Sequence, residues 1–218
     1  LIHCFARPSE HAQWGREPFV YRSSRGGPPL LTPQQTTIEG NLMINRNYEP
    51  GHPNSDKLVD LDDGSTSYMS RGNVLVYGGQ KFRDGRFRHC IGNLILFPET
   101  QDPKFGILPG LFLAPIGESV NANYTRSTDT FVNNTIAAVS GTFLSCTDGW
   151  EASNFPHMSN NTYLTPGNPE LPFSVGKCCK SCGSLREWQA QGHDQGSTIS
   201  SQVSDAELLA SARAMLGL

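Results

Sequence analysis

Five times in 218 residues an Asn stands directly before a short apolar run: Asn41 (NLMI), Asn73 (NVLV), Asn93 (NLIL), Asn134 (NTIA) and Asn161 (NTYL). Three of these Asn follow a Gly, and the intervals between the five are 32, 20, 41 and 27 residues. Three or four apolar residues after a Gly or Asn turn make one short strand, and a unit near 20 residues long cannot bury its own apolar face. Such units must stack on one another. Stacked strands hydrogen-bond at ordinary sheet spacing, while Asn side chains at equivalent turns satisfy one another and the backbone between them. The spacing therefore predicts a parallel β-helix, with a further coil at Gly110-Leu111-Phe112-Leu113 inside the longest interval. An antiparallel sandwich with Asn-containing turns is the competing arrangement.

Composition agrees with many turns and few long helices: Gly (22) and Pro (15) are abundant and only 37% of residues are apolar. A net charge of −3 supplies no basic field for wrapping nucleic acid, although Lys81 to Arg88 is locally basic. No apolar run approaches the roughly 18 residues that a spanning helix needs. The chain opens on Leu1 rather than Met, which reads as a processed chain or a fragment from which any leader has gone. Residues 1–38 are expected to be irregular, and residues 39–200 to form the coils with loop insertions. Residues 201–218 are expected to form a short amphipathic helix. That helix starts on the capping box Ser204-Asp-Ala-Glu207 and carries Leu208, Leu209, Ala212, Met215 and Leu216 on one face. Its predicted task is to cover an open end of the sheet.

Three N-glycosylation acceptor patterns start at Asn123, Asn133 and Asn160, and such patterns matter only in a secretory compartment. The six cysteines (Cys4, Cys90, Cys146, Cys178, Cys179, Cys182) suit disulfides or free thiols better than zinc, because CCKSC has no second ligand pair nearby. The sequence leaves their pairing open.

Two Asp-Gly turns stand out in LVDLDDGSTSY and KFRDGRFR. Asp63 and Asp84 are 21 residues apart, about one coil. Equivalent positions on adjacent coils lie about 4.8 Å apart, close to the roughly 5 Å between the carboxyl groups of retaining glycosidases. Repulsion between such carboxylates raises the pKa of one, so that it can serve as acid while its partner acts as nucleophile or base. Asp62 is the alternative partner. Around them Lys81, Arg83, Arg86 and Arg88 could hold an acidic sugar, and Trp14, Tyr68 and Tyr77 could stack on sugar rings. A lyase would instead use a basic side chain to remove the proton beside a uronate carboxylate. His89 and His52 are alternative acid/base groups.

Plainer readings compete. KFRDGRFR is also a hairpin signal with a type I′ turn, which would put Phe82 and Phe87 on one face. DDGS is also an Asx-type turn. Asp60, Asp62 and Asp63 offer oxygen ligands for calcium, though not in an EF-hand, whose spacing fails at Ser65 and Arg71. His3, His11, His157 and His193 are scattered and read as surface or turn residues. Neither a Gly-rich phosphate loop, a G-x-S-x-G elbow nor an H-E-x-x-H pair occurs.

The ordered set WGREPF, DLDDGSTSY, NVLVYGGQKFRDG, NNTYLTPG and LREWQAQGHDQGST resembles the C-terminal half of right-handed parallel β-helix proteins of the pectate-lyase-like fold. The likeness is to the large group near fucosidase-type glycoside hydrolases, and it covers most of the chain. It implies an all-β right-handed solenoid, an extracellular location and a polysaccharide or glycan partner. The expected activity is glycosidic hydrolysis by Asp63 and Asp84 with Asp62 in support. The fold also serves lyases and non-catalytic binding or adhesion solenoids, which stay open as alternatives.

Overall fold

The computed structural model describes residues 35–45, 57–61, 67–82, 87–102, 106–113, 128–146, 155–165, 173–175, 178–179, 181–200 and 203–218. The chain is mostly β, and among the described residues all strands but one antiparallel pair lie in three parallel sheets. A five-stranded sheet contains, in spatial order, β1 (Thr36–Glu39), β4 (Tyr68–Arg71), β7 (Arg88–Ile91), β12 (Thr130–Val132) and β15 (His157–Ser159). A six-stranded sheet runs from β2 (Leu42–Ile44) through β5 (Val74–Val76), β8 (Leu94–Leu96), β13 (Thr135–Ala137) and β16 (Thr162–Leu164) to β17 (Thr198–Ser200). The four-stranded sheet holds β3 (Val59–Leu61), β6 (Gln80–Phe82), β11 (Leu111–Leu113) and β14 (Leu144–Cys146). One antiparallel pair, β9 (Thr100–Asp102) with β10 (Gly106–Leu108), stands apart. From β1 to β16 the chain visits the three sheets in turn, apart from the inserted β9–β10 pair, so that each inner strand pairs with one from an earlier and one from a later circuit.

The corner between the five- and six-stranded sheets explains the recurring Asn. It is two residues long: a left-handed residue, with φ of 65, 59, 62, 57 and 54° at Gly40, Gly72, Gly92, Asn133 and Asn160, and then the ladder Asn. Gly and Asn populate that region at least cost, which is why they alone appear there. Each ladder Asn Oδ1 accepts the backbone N–H of the Asn before it: Asn41 to Asn73 (3.0 Å), Asn73 to Asn93 (3.0 Å), Asn93 to Asn134 (2.9 Å) and Asn134 to Asn161 (2.9 Å). Each Nδ2 donates onward to the next Oδ1, at 3.1, 3.0, 3.0 and 3.3 Å. Because Asn93 bonds Asn134 directly, no coil lies between them. The coil expected at Gly110 is instead β11 of the four-stranded sheet, and the interval is long because β9, β10 and further residues are inserted within one circuit.

Burial follows the alternation of short strands. Tyr68 and Ser70 of β4 point inward with Arg88 and Cys90 of β7, while the six-stranded sheet sends Met43, Leu75, Ile95, Ile136 and Tyr163 into the same core. Gly79 is required where circuits touch: a Cβ there would stand 2.5 Å from the carbonyl oxygens of Pro109 and Gly110. The outward positions of the six-stranded sheet are apolar too, which follows from what covers them. Val74, Leu94, Leu96, Ala137 and Leu164 pack against Leu208, Ala212 and Leu216 of helix α2 (Asp205–Leu216). That helix has the expected capping box at Ser204 and Glu207, but it lies on this sheet face rather than over a sheet end. Of the five apolar residues assigned to one face, Leu209 is 53% exposed and Met215 37%. The buried stripe is the i, i+4, i+8 set alone.

Helix α1 (Leu185–Ala190) packs into the core with fully buried Trp188, whose ring meets Phe155 edge-on at 5.3 Å. Nearby, Cys146 bonds Cys178 and Cys179 bonds Cys182, so the adjacent cysteines take different partners. Cys90 is a buried free thiol, and Cys4 lies outside the described residues. The Cys146–Cys178 link closes a separation of 32 residues, for which restricting the unfolded chain corresponds to about 3–4 kcal/mol. Replacing both cysteines by Ala is expected to lower unfolding free energy by that amount in a denaturant titration. An unchanged midpoint would remove this bond from the stabilising set.

Candidate functional site

The two Asp-Gly turns leave the same sheet for the same neighbour. Both follow strands of the four-stranded sheet, β3 and β6, and both lead to strands of the five-stranded sheet, β4 and β7. The β3–β6 register pairs Val59 with Gln80, Asp60 with Lys81 and Leu61 with Phe82. This offset of 21 residues is the one that separates Asp63 from Asp84. Asp62, Asp63 and Asp84 themselves lie outside the described residues, as do Arg83, Arg86, Trp14 and His52. The hairpin reading of KFRDGRFR does not hold: β6 and β7 belong to different parallel sheets, and Phe82 is fully buried while Phe87 is 40% exposed.

Lys81 stands between buried Gln80 and Phe82 on β6 and is half-buried. Its register partner toward the start of the chain is Asp60, on the strand that runs into Asp62. Tyr77 is half-buried in the left-handed region, with its ring 6.4 Å from that of Phe97 at the equivalent bend of the next circuit. Tyr68 and Arg88, read from the sequence as contacts for sugar, point inward. They are register partners, 4% and 0% exposed, so neither offers a surface to a substrate.

Arg88 has a structural task at this corner. Its backbone N–H donates to Asp129 Oδ1 at 2.8 Å, while Nε and Nη2 donate to Asp129 Oδ2 at 3.0 and 2.6 Å. Nη1 donates to the Leu61 carbonyl at 3.3 Å, and the guanidinium lies 4.7 Å from the centre of the Phe82 ring. A buried cation thus joins three circuits: Leu61, the residue before DDGST; Arg88 itself, the first residue of β7; and Asp129, the residue before β12. The signal for it lay in the 20-residue repeat. Aligning SYMSRGN with FRHCIGN by that step sets Arg88 on inward Tyr68, and the register then sets Asp129 beside Arg88 on the next circuit.

The outward face of the five-stranded sheet carries His89, whose Nδ1 is 2.9 Å from Thr130 Oγ1, and His157, whose Nε2 is 3.4 Å from Ser159 Oγ. Thr130 is the register partner of both histidines. Farther along, the Asn ladder ends on Asp194, a buried carboxylate that sequence reading missed. It accepts from Asn161 Nδ2 (2.9 Å), Ser197 Oγ (2.6 Å) and the Tyr163 hydroxyl (2.5 Å). Burial, and then the Asp194 charge, push the Tyr163 phenol well above its ordinary range. Beside it His193 stacks on Trp188 at 4.1 Å, and burial holds its imidazole below the usual histidine range. Desolvation likewise raises the Cys90 thiol far above a reactive value, so Cys90 is a packing residue.

Among the described residues no group of three or more His, Cys, Asp or Glu gathers to hold a metal ion. The calcium set of Asp60, Asp62 and Asp63 falls largely outside them, with only the backbone of Asp60 described. No described helix is long and apolar enough to cross a membrane. No known protein family, curated protein or solved structure matches the chain.

Proposed function

We propose that the three parallel sheets close into a right-handed parallel β-helix, and that the protein is an extracellular enzyme hydrolysing a glycosidic bond in a polysaccharide with Asp63 and Asp84. The observation that carries this reading is the β3–β6 register, whose 21-residue offset is repeated by the two Asp-Gly turns. Two carboxylates one sheet spacing apart, about 4.8 Å, suit a retaining mechanism in which one attacks the anomeric carbon and the other protonates the leaving oxygen. Asp62 supports the first turn. Lys81, Arg83 and Arg86 supply positive charge for an acidic sugar, and Trp14 supplies a stacking surface. The resemblance of the sequence to β-helix proteins near glycoside hydrolases points to the same class.

The test is turnover of a polysaccharide panel by the wild type and by Asp63→Asn and Asp84→Asn. Each variant is expected to lose about 10²–10⁴-fold in rate with folding intact, and the product should keep its anomeric configuration. If both variants turn over the best substrate like the wild type, the carboxylate mechanism is wrong. A glycan bound tightly by wild type and variants without turnover would make the protein a binding solenoid.

A further inference from the structure

We infer that Asn133 is an N-glycan acceptor, on the ridge between the five- and six-stranded sheets. This rests on the extracellular part of the reading above. Asn133-Asn134-Thr135 is an acceptor tripeptide, and its three residues have separate places in the fold. Asn134 is a buried rung of the ladder and Thr135 opens β13. Asn133 occupies the left-handed corner position, is exposed, and its carboxamide makes no hydrogen bond among the described residues. The equivalent corners at Gly40, Gly72 and Gly92 show how open this ridge is: a Cβ built at each meets nothing within 4 Å.

The second described tripeptide, Asn160-Asn161-Thr162, differs although its backbone is the same. Asn160 Oδ1 would lie 2.3 Å from a Cβ at Gly196, so this carboxamide rests on the backbone of the next circuit. Asn133 has no such neighbour among the described residues, and a glycan there leaves their packing untouched. The ridge is also a different corner from the one that carries the two Asp-Gly turns, so a sugar at Asn133 and a substrate at those turns do not compete for one edge. A second, independent observation concerns the compartment. Four of the described cysteines are paired in two disulfides, and disulfides persist where the secretory pathway also attaches N-glycans.

In the transfer, Asn133 Nδ2 forms a bond to C1 of the first sugar as the C1–O bond to a lipid-linked diphosphate breaks. The diphosphate leaves with the bonding pair and Nδ2 gives up one proton, with no change in oxidation state.

The test expresses the full chain in a eukaryotic secretory host beside Asn133→Gly, a change to the residue that three sister corners already use. The expected result is a glycan on the peptide containing residue 133, with enzymatic release leaving Asp there. Asn133→Gly should lose that glycan and still form both disulfides. Secreted, disulfide-bonded wild type with an unmodified Asn133 would overturn the assignment while leaving the extracellular reading in place. Wild type whose cysteines stay reduced in that pathway would overturn the extracellular reading, and this assignment with it.

Discussion

Replacing Asn93 by Ala should cost about 3–5 kcal/mol, a large part of the roughly 5–15 kcal/mol by which a domain is stable. The Asn93 side chain is wholly buried. Its Oδ1 accepts from the Asn73 backbone N–H, from Asn73 Nδ2 and from Ser70 Oγ, while its Nδ2 donates to the Ser70 carbonyl, Cys90 Sγ and Asn134 Oδ1. Truncation strands the Asn73 N–H inside the corner, where water cannot replace the lost acceptor, and it leaves a void beside it. Each orphaned buried donor costs about 1–3 kcal/mol. Asn41→Ala supplies the contrast. That residue is half-buried and one of its donors serves the Glu39 carbonyl at an exposed site, so a loss of about 1 kcal/mol is expected. Urea titrations of the two variants decide the matter. Equal shifts for Asn41→Ala and Asn93→Ala would mean that the ladder does not stabilise the core as described.

The ladder was legible because it is periodic in sequence and because one chemical group solves the same problem at every turn. The third sheet was not, since VDL, QKF, LFL and LSC have no Asn before them, and their register-equivalent middle residues, Asp60, Lys81, Phe112 and Ser145, share no chemistry. Gly110-Leu111-Phe112-Leu113 was therefore read as a further coil rather than as the third-sheet strand of a circuit already counted. The site of α2 was written in the six-stranded sheet rather than in the helix: LIL of β8 is buried on both faces, and a strand with no polar face requires a cover on each side. Reading the helix alone gave its cap and its existence but not its neighbour. Disulfide pairing was beyond reach, because which of Cys178 and Cys179 meets Cys146 depends on contacts made only once the circuits stack.

The candidate site shows a related failure. The basic run from Lys81 to Arg88 was read by its charge, as one group holding an acidic sugar, when the register separates its members. Lys81 faces outward between Gln80 and Phe82, whereas Arg88 is enclosed. A cation at an inward position needs a buried anion, and that anion lies 41 residues away in Asp129, one circuit on, where the inserted β9–β10 pair lengthens the step and hides the relation. Spacing reveals partners only when consecutive circuits are equally long. The 21-residue step between β3 and β6 is of that kind, a circuit with no long insertion.

Asp129→Ala is expected to be at least as damaging as Asn93→Ala, at about 3–5 kcal/mol, because it leaves the Arg88 guanidinium buried without its counter-charge. The Leu61 carbonyl and the face of Phe82 would still meet it, but neither carries a negative charge. Replacing both partners with apolar residues of similar volume, Arg88→Met with Asp129→Leu, should recover most of that loss, since neither charge then needs to leave water. The double change separates the two roles that the geometry allows. The ion pair ties the Leu61 carbonyl, the start of β7 and the start of β12 together, and those points anchor the loops on either side of the corner. If the double variant matches the wild type in denaturation and in the proposed glycan turnover, the pair is one of several ways to fill the corner. If it is as stable as the wild type but turnover falls with the loops mispositioned, the charge pair is retained for alignment. If the double variant is no more stable than Asp129→Ala alone, an uncompensated buried charge is not the source of the loss.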